Sequence, residues 1–504
     1  MSMHHPVRAR DFARAALSHS TRAMLGIGLL CAALLSACGG GSTQSDPVGD
    51  GSAPPPTGEG GTGGGAPVER NQYPFGLACG WEVASNIDTM NIFYPDDSAT
   101  YWVALVPMLP GARLRIDGRY PDVRYFSYNS YDPLLRPSDA LADLELVPRA
   151  NGVNPFAVEG APPGDTYRAY LHFENRPEQR APNTLYAGDF STGQLTLPHP
   201  VLLPLMYRTY VPADGLGPDG GVGLPILTLE TMDGETELLP TADCVEPLLP
   251  TLGGAVTELG LNDLLLGINV YDDPLLLANS VVPLSDADAE THVFRGIPEF
   301  YVNFIAELLG LPFLGDAVES AAIGGGGGGF MSNIHNAYTY NIYYRHKGNV
   351  ILFRAKAPTF RGQPGVPFGT EQLRYWSICQ NDVVTQRYTD CSRDENTVLD
   401  EEGYFTVVVS DAEDRPANAT TANGITWLPW GPYIDAAIAY RHMLPAPDYV
   451  ETTSYVPRGT PVDDIMGEYA PQPSYCTREV FESAGDAPAS VLFSTCRAYH
   501  DALE

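Results

Sequence analysis

Arginine, serine and aspartate fall within nine positions of one another in Arg374-Tyr375-Trp376-Ser377-Ile378-Cys379-Gln380-Asn381-Asp382. A serine nucleophile, a carboxylate and a cation that steadies a developing anion are what acyl transfer requires. The spacing works against that reading. On a strand Arg374, Trp376, Ile378, Gln380 and Asp382 share one face, and Tyr375, Ser377, Cys379 and Asn381 share the other. Eight residues of extended chain place Arg374 and Asp382 roughly 27 Å apart, so each needs a partner elsewhere. Arg441 is a further charge expected on a neighbouring strand. The plainer account of these charges is an ion pair or backbone clamp at the end of a sandwich. Arg374 and Arg441 nevertheless stand as candidate ligand contacts.

Trp427 and Trp430 bracket Leu428-Pro429 in what reads as a loop. Two indoles on a Pro-containing loop form an aromatic platform for a sugar ring or an apolar ligand. The competing account is a plug that closes one end of the fold. His172, His335, His346 and His442 have no HExxH-type spacing. Asp286, Asp288 and Glu290 alternate as calcium loops do, and Asp214 and Asp219 lie among glycines in 214–223. Both are weak calcium candidates, because the EF-hand glycine and terminal glutamate are missing. No other metal or cofactor is expected. The sequence holds no GxSxG elbow, no Walker A loop and no GxGxxG. The glycine run 324–329 lacks the Lys and Ser/Thr of a phosphate loop and reads as a hinge or linker.

The chain carries a formal charge of -32 over 504 residues. That charge repels nucleic acid and anionic headgroups, so neither is an expected partner. Residues 1–37 contain Arg8, Arg10, Arg14 and Arg22 against Asp11, then an apolar run from Met24 to Leu35, ending at Leu35-Ser36-Ala37-Cys38. This is the tripartite form of an export signal, and its end resembles the bacterial lipoprotein lipobox. The resemblance implies that Cys38 is lipidated and becomes the N-terminus. Gly39, where retained lipoproteins carry Asp, implies the outer membrane. Membrane contact is then expected through the lipid anchor only, and the location is the cell envelope. Residues 39–67, rich in Gly, Ser, Pro and Thr, form a tether.

Six cysteines remain: Cys79, Cys244, Cys379, Cys391, Cys476 and Cys496. In an exported chain an even number reads as disulfides. Spacing favours Cys379–Cys391 and Cys476–Cys496 as local loops, which leaves Cys79–Cys244 around the first unit. Six cysteines allow fifteen connectivities.

The elements that must position these residues are strands. Short apolar-alternating runs separated by Pro and Gly fill 71–245 and return at 336–450. Between them, 246–335 contains helical spacing from Pro298 to Gly310 and an apolar hairpin 297–323, either an inter-domain connector or a lid. Three landmarks recur in order. Arg124-Tyr125-Phe126-Ser127 matches Arg374-Tyr375-Trp376-Ser377, 250 positions later. Glu174-Asn175-Arg176-Pro177 matches Glu413-Asp414-Arg415-Pro416. Tyr207-Arg208 before Pro212 matches Tyr440-Arg441 before Pro445. Leu185-Tyr186-Ala187-Gly188 sits where Trp427-Leu428-Pro429-Trp430-Gly431 falls in the second copy.

With Asp414-Arg415-Pro416-Ala417-Asn418-Ala419 and Tyr440-Arg441-His442-Met443-Leu444-Pro445, these motifs resemble an uncharacterised family of exported bacterial proteins and lipoproteins with duplicated β-sandwich domains. The likeness spans 71–480 and implies no catalytic residues. The expected architecture is mainly β: a signal at 1–37, lipidated Cys and tether at 38–70, and a β-sandwich unit at 71–245. A helical and Gly-rich insertion follows at 246–335, then a second unit at 336–450 and a disulfide-stapled extension at 451–504. Both units are expected to be jelly-roll-like. The expected role is binding or envelope structure, with an apolar or glycan ligand meeting the Trp427–Trp430 segment and the 297–323 hairpin. The alternative is an envelope hydrolase with a site between the two units. A purely structural partner of another protein is the third reading, with that protein unknown.

Overall fold

The computed structural model describes residues 80–81, 83–88, 94–109, 111–133, 135–188, 202–238, 291–296, 331–382, 387–431 and 435–502. The export signal, Cys38, the tether, Cys79, Cys244, the acidic triplet at 286–290, the 297–323 hairpin and the glycine run lie outside these residues.

The described chain is mainly β, as the alternation predicts. In the first sandwich one sheet runs in the order β1 (Val83–Ser85), β2 (Ala99–Pro107), β8 (Leu202–Pro212), β4 (Val123–Tyr131), β5 (Pro137–Ala142). Its other sheet runs β10 (Gly234–Leu238), β9 (Ile226–Thr231), β3 (Arg113–Arg119), β6 (Thr166–His172), β7 (Thr184–Tyr186). In the second sandwich the orders are β11 (His292–Val293), β12 (Asn336–Tyr344), β18 (Asp435–Pro445), β14 (Leu373–Asp382), β15 (Tyr388–Arg393), and β17 (Thr426–Pro429), β16 (Tyr404–Ser410), β13 (Val350–Lys356), β19 (Gln472–Cys476).

The duplication is visible strand by strand. The order β2-β8-β4-β5 is repeated as β12-β18-β14-β15, and β9-β3-β6-β7 as β19-β13-β16-β17. Even irregularities repeat. β6–β7 and β16–β17 are parallel pairs within otherwise antiparallel sheets. β4 shifts register between Ser130 and Tyr131, and β14 shifts between Gln380 and Asn381.

The two copies bury their outer sheets differently, and the sequence explains why. β3 and β6 alternate buried and open positions. Their open face carries Arg115, Asp117 and Arg168 in an ion-pair network with Glu230. β13 begins Val-Ile-Leu-Phe and is buried on both faces. Ile351 and Phe353 face the sandwich core with Trp376 and Phe405. Val350 and Leu352 instead pack under α1 (Arg478–Ser483) and α2 (Ala489–Asp501), against Phe481 and Leu492. A continuous apolar strand needs such a cover.

Two expectations about boundaries change. The extension expected at 451–504 is part of the second sandwich, because β19 pairs with β13 and the helices complete its outer layer. Cys476–Cys496 ties β19 to α2, and Cys379–Cys391 ties β14 to β15. The Trp427 segment is a short strand rather than a loop: Thr426, Trp427 and Leu428 are β-formers, and they pair in register with β16. That register aligns Leu185–Gly188 with Leu428–Gly431, and Gly188 and Gly431 both adopt positive φ.

Candidate functional site

The outward faces of β4 and β14, the two Arg-Tyr-aromatic-Ser strands, meet where the sandwiches join. Tyr125, Tyr210, Tyr375 and Met443 form an apolar cluster there with Ala99 and Ala142. The opposite faces of the same strands, with Phe126 and Trp376, belong to the two separate cores.

Polar groups cross this junction reciprocally. Arg374 donates to Asp143 at 3.0 Å, and Arg124 donates to Asp394 at 2.5 Å. Each arginine comes from one copy and each carboxylate from the other. Asp143 and Asp394 do the same local work: each accepts the backbone N–H of the aromatic residue after the RY pair, Phe126 at 3.1 Å and Trp376 at 3.2 Å. Burial pushes both carboxyls up, and the facing Arg374 and Arg124 oppose that shift.

A second exchange lies beside the first. Asp96, just before β2, accepts the Tyr375 hydroxyl at 2.9 Å, the Ser377 hydroxyl at 2.7 Å and the Ser98 N–H at 2.9 Å. It also pairs with the buried Arg441. Its counterpart before β12 is Asn333, whose Nδ2 donates to the Tyr125 hydroxyl at 3.2 Å and whose Oδ1 accepts the His335 N–H at 3.1 Å. The backbone copies the match. Val211 N–H reaches Ser98 O and Leu444 N–H reaches His335 O, with positive φ at both Val211 and Leu444. For a β-branched residue that conformation is strained.

Burial pushes the Arg441 guanidinium down to about 9, so it remains charged at neutral pH beside Asp96. The phenol of Tyr375 is pushed well up by burial and stays protonated. Ser377 donates to Asp96 and accepts from Arg441 at 2.8 Å, so the one carboxylate beside its hydroxyl is already neutralised by a buried arginine. Asp96 also lies near Cys379 and Cys391, but those sulfurs are bonded to each other and are not thiolate ligands.

One open pocket borders the junction, on the Arg124 side, with a volume of about 480 Å³. The β3–β4 turn, β4 and the turn after β8 supply Asp122, Arg124 and Asp214 to its wall, and the second sandwich supplies Arg361, Phe368, Arg393 and Glu395. Arg124 pairs with both Asp394 and Glu395, and Arg393 lies 3.3 Å from Glu395. Arg361 is different. Its guanidinium stacks 4.0 Å from the Phe368 ring, and Nη2 donates to Phe156 O at 2.9 Å. Nη1 has no hydrogen-bond partner, and Glu371 stands off at 4.0 Å. Burial, reinforced by Arg374, pushes Arg361 down to about 10.

The residues singled out from the sequence do not converge. Arg374 and Arg441 are structural partners of Asp143 and Asp96 at the junction. Trp430 is wholly buried in the second core, so the expected two-indole platform does not form: its ring has no face open to a ligand. Trp427 is half-buried, stacked 4.5 Å from Arg415 with Nε1 donating to Ser410 Oγ. His442 bonds Thr452 at 2.8 Å and His335 bonds Tyr125 at 2.8 Å. Asp219 accepts the N–H groups of Gly221 and Gly223, which occupies its carboxylate within its own loop.

No protein-family model and no curated protein sequence matches the chain. Among solved structures it is similar to an uncharacterised protein of Burkholderia cenocepacia, at 14% identity over 80% of this chain and 84% of that one, with a TM-score of 0.39. It is also similar to a protein of Vibrio parahaemolyticus, at 12% identity over 81% and 93%, with a TM-score of 0.33.

Proposed function

We propose that this is a lipid-tethered binding protein of the bacterial cell envelope, held at the outer membrane through Cys38. Its ligand is a small molecule with one carboxylate-type group on a sugar-like or apolar body, bound in the pocket between the sandwiches. The observation that carries this reading is the pocket wall itself, where Arg361 is held over the Phe368 ring beside Arg393 and Phe156. A planar guanidinium matches the two oxygens of a carboxylate. Phe156 and Phe368 offer faces for apolar surface, and Asp122 and Asp214 are acceptors for hydroxyls.

The hydrolase reading rests on the same pocket. Its lining offers Asp122, Asp214 and Glu395 as acid–base groups and no serine, cysteine or histidine, so binding is the better supported role. The test is native mass spectrometry of protein purified from its own envelope, wild type beside Arg361→Ala. The reading expects a small bound species in the wild type, reduced at least tenfold in the variant. A wild-type mass equal to that of the lipidated polypeptide, or equal retention by both proteins, overturns it.

A further inference from the structure

The wall of the pocket at Arg361 carries its charges in two groups, one from each sandwich. From the first sandwich come Asp122, in the β3–β4 turn, and Asp214, after β8. The backbone holds these two segments together, because the Ala213 N–H donates to Asp122 O at 2.9 Å. Both carboxylates are on exposed residues, and among the described residues neither has an ion-pair partner.

From the second sandwich come Arg361 and Arg393. The Arg393 side chain is 29% exposed. Its Nε faces Glu395 and its Nη1 donates to Ser98 Oγ, both at 3.3 Å, which leaves Nη2 without a partner among the described residues. Arg124, the third cation of the wall, is taken up by Asp394 and Glu395. The uncharged lining is Pro, Phe, Val, Ala and Gly, with no hydroxyl or amide side chain. Its prolines have no backbone N–H to offer. Recognition of an anion therefore falls to the two arginines, and recognition of a cation to the two aspartates.

A ligand with a carboxylate alone would sit beside Asp122 and Asp214 in a chain of formal charge -32, and like charges oppose it. An ammonium on the same molecule removes that cost. We propose that the ligand is a short peptide with free termini and an apolar side chain, its carboxylate on Arg361 and Arg393 and its ammonium on Asp122 and Asp214. Capture of peptide termini by charged groups is a known mode of recognition. The apolar side chain meets Phe156 and Phe368, and a sugar body would leave its hydroxyls against a lining with few partners for them. A volume of about 480 Å³ is in the range of small-ligand pockets. The inference rests on the reading of this pocket as a binding site.

Native mass spectrometry of the full chain tests it with three probes: the peptide alanyl-phenylalanyl-alanine, its N-acetyl form and its C-terminal amide. The free peptide is expected to bind, and each blocked form to bind about tenfold or more weakly. The double variant Asp122→Asn, Asp214→Asn changes only exposed side chains without ion-pair partners. In it the free peptide is expected to lose its advantage over the N-acetyl form and to keep its advantage over the amide. Equal binding of the free and N-acetyl peptides to the wild type, or an unchanged preference in the double variant, overturns the proposal and leaves a plain carboxylate ligand standing. Failure of all three probes also overturns it. If a small species is then still retained from the envelope, the pocket keeps its binding role; if none is retained, both readings fall.

Discussion

Arg374 and Asp143 lie 3.0 Å apart although 231 residues separate them, and Arg124 and Asp394 repeat the contact in the opposite sense. The two copies therefore exchange charges across an approximate two-fold relationship, as the halves of a symmetric dimer do. Because each carboxylate also accepts a backbone N–H from the Arg-Tyr-aromatic-Ser strand of its own copy, Phe126 for Asp143 and Trp376 for Asp394, these groups fix both the junction and the strands that flank it.

Removing one partner of a buried pair leaves an uncompensated charge. Asp143→Asn is expected to destabilise the protein by about 3–5 kcal/mol in urea unfolding. Asp501→Asn, whose pair with Arg497 is exposed, should cost about 1 kcal/mol or less. Similar values for the two variants would show that the junction pair has no special weight.

Burial pushes His442 down to about 3 from an ordinary value of 6.5. The unfolded chain then binds a proton that the folded chain refuses between those two values. His442 therefore supports the fold fully above pH 6.5, and that support is lost as pH falls toward 3. The linked loss is on the order of 5 kcal/mol over the whole window. His442→Gln should flatten the fall in stability between pH 6 and 4, measured by urea midpoints at each pH. An unchanged slope would rule His442 out as a source of acid lability.

The two tryptophans should separate cleanly. Trp430→Ala empties a fully buried site and is expected to cost about 3–5 kcal/mol. Trp427→Ala removes a half-buried ring stacked on Arg415 and should cost no more than about 2 kcal/mol. Equal losses would contradict the placement of Trp430 in the core.

Cys379 is almost wholly buried, and its bond to Cys391 spans a separation of 12 residues. Replacing both with serine should cost about 3 kcal/mol by the chain-entropy estimate. In the native protein this bond should resist reductant concentrations that open exposed disulfides. Rapid reduction without unfolding would contradict its burial.

Much of the scaffold could be read from the residues. The RY-aromatic-Ser repeat marked equivalent strands, and alternation marked their neighbours. The two short cysteine spacings marked real disulfides. What could not be read was the partner of each charge. Asp96, Asp143 and Asp394 sit in or beside turns hundreds of positions from the arginines they meet, and no periodicity links them. A fainter signal was present: Asp143 follows Arg124 by 19 positions, and Asp394 follows Arg374 by 20. Extending the repeat past its strands would have found that pair. The Trp427 segment was misread because Pro429 and Gly431 signal a turn, while the β-forming residues before them pair with β16 first.

The contact between Asp96 and Arg441 closes a span of 345 residues. A ribosome delivers the aspartate long before the arginine that neutralises it. The first sandwich thus emerges with a carboxylate destined for a dry interior and nothing yet to meet it. Until the last long strand arrives, that aspartate is best left in water and the junction open. Maturation of the whole body is thereby tied to delivery of its C-terminal part, and a chain cut short between the copies would expose the apolar tyrosine face that the second copy was to cover.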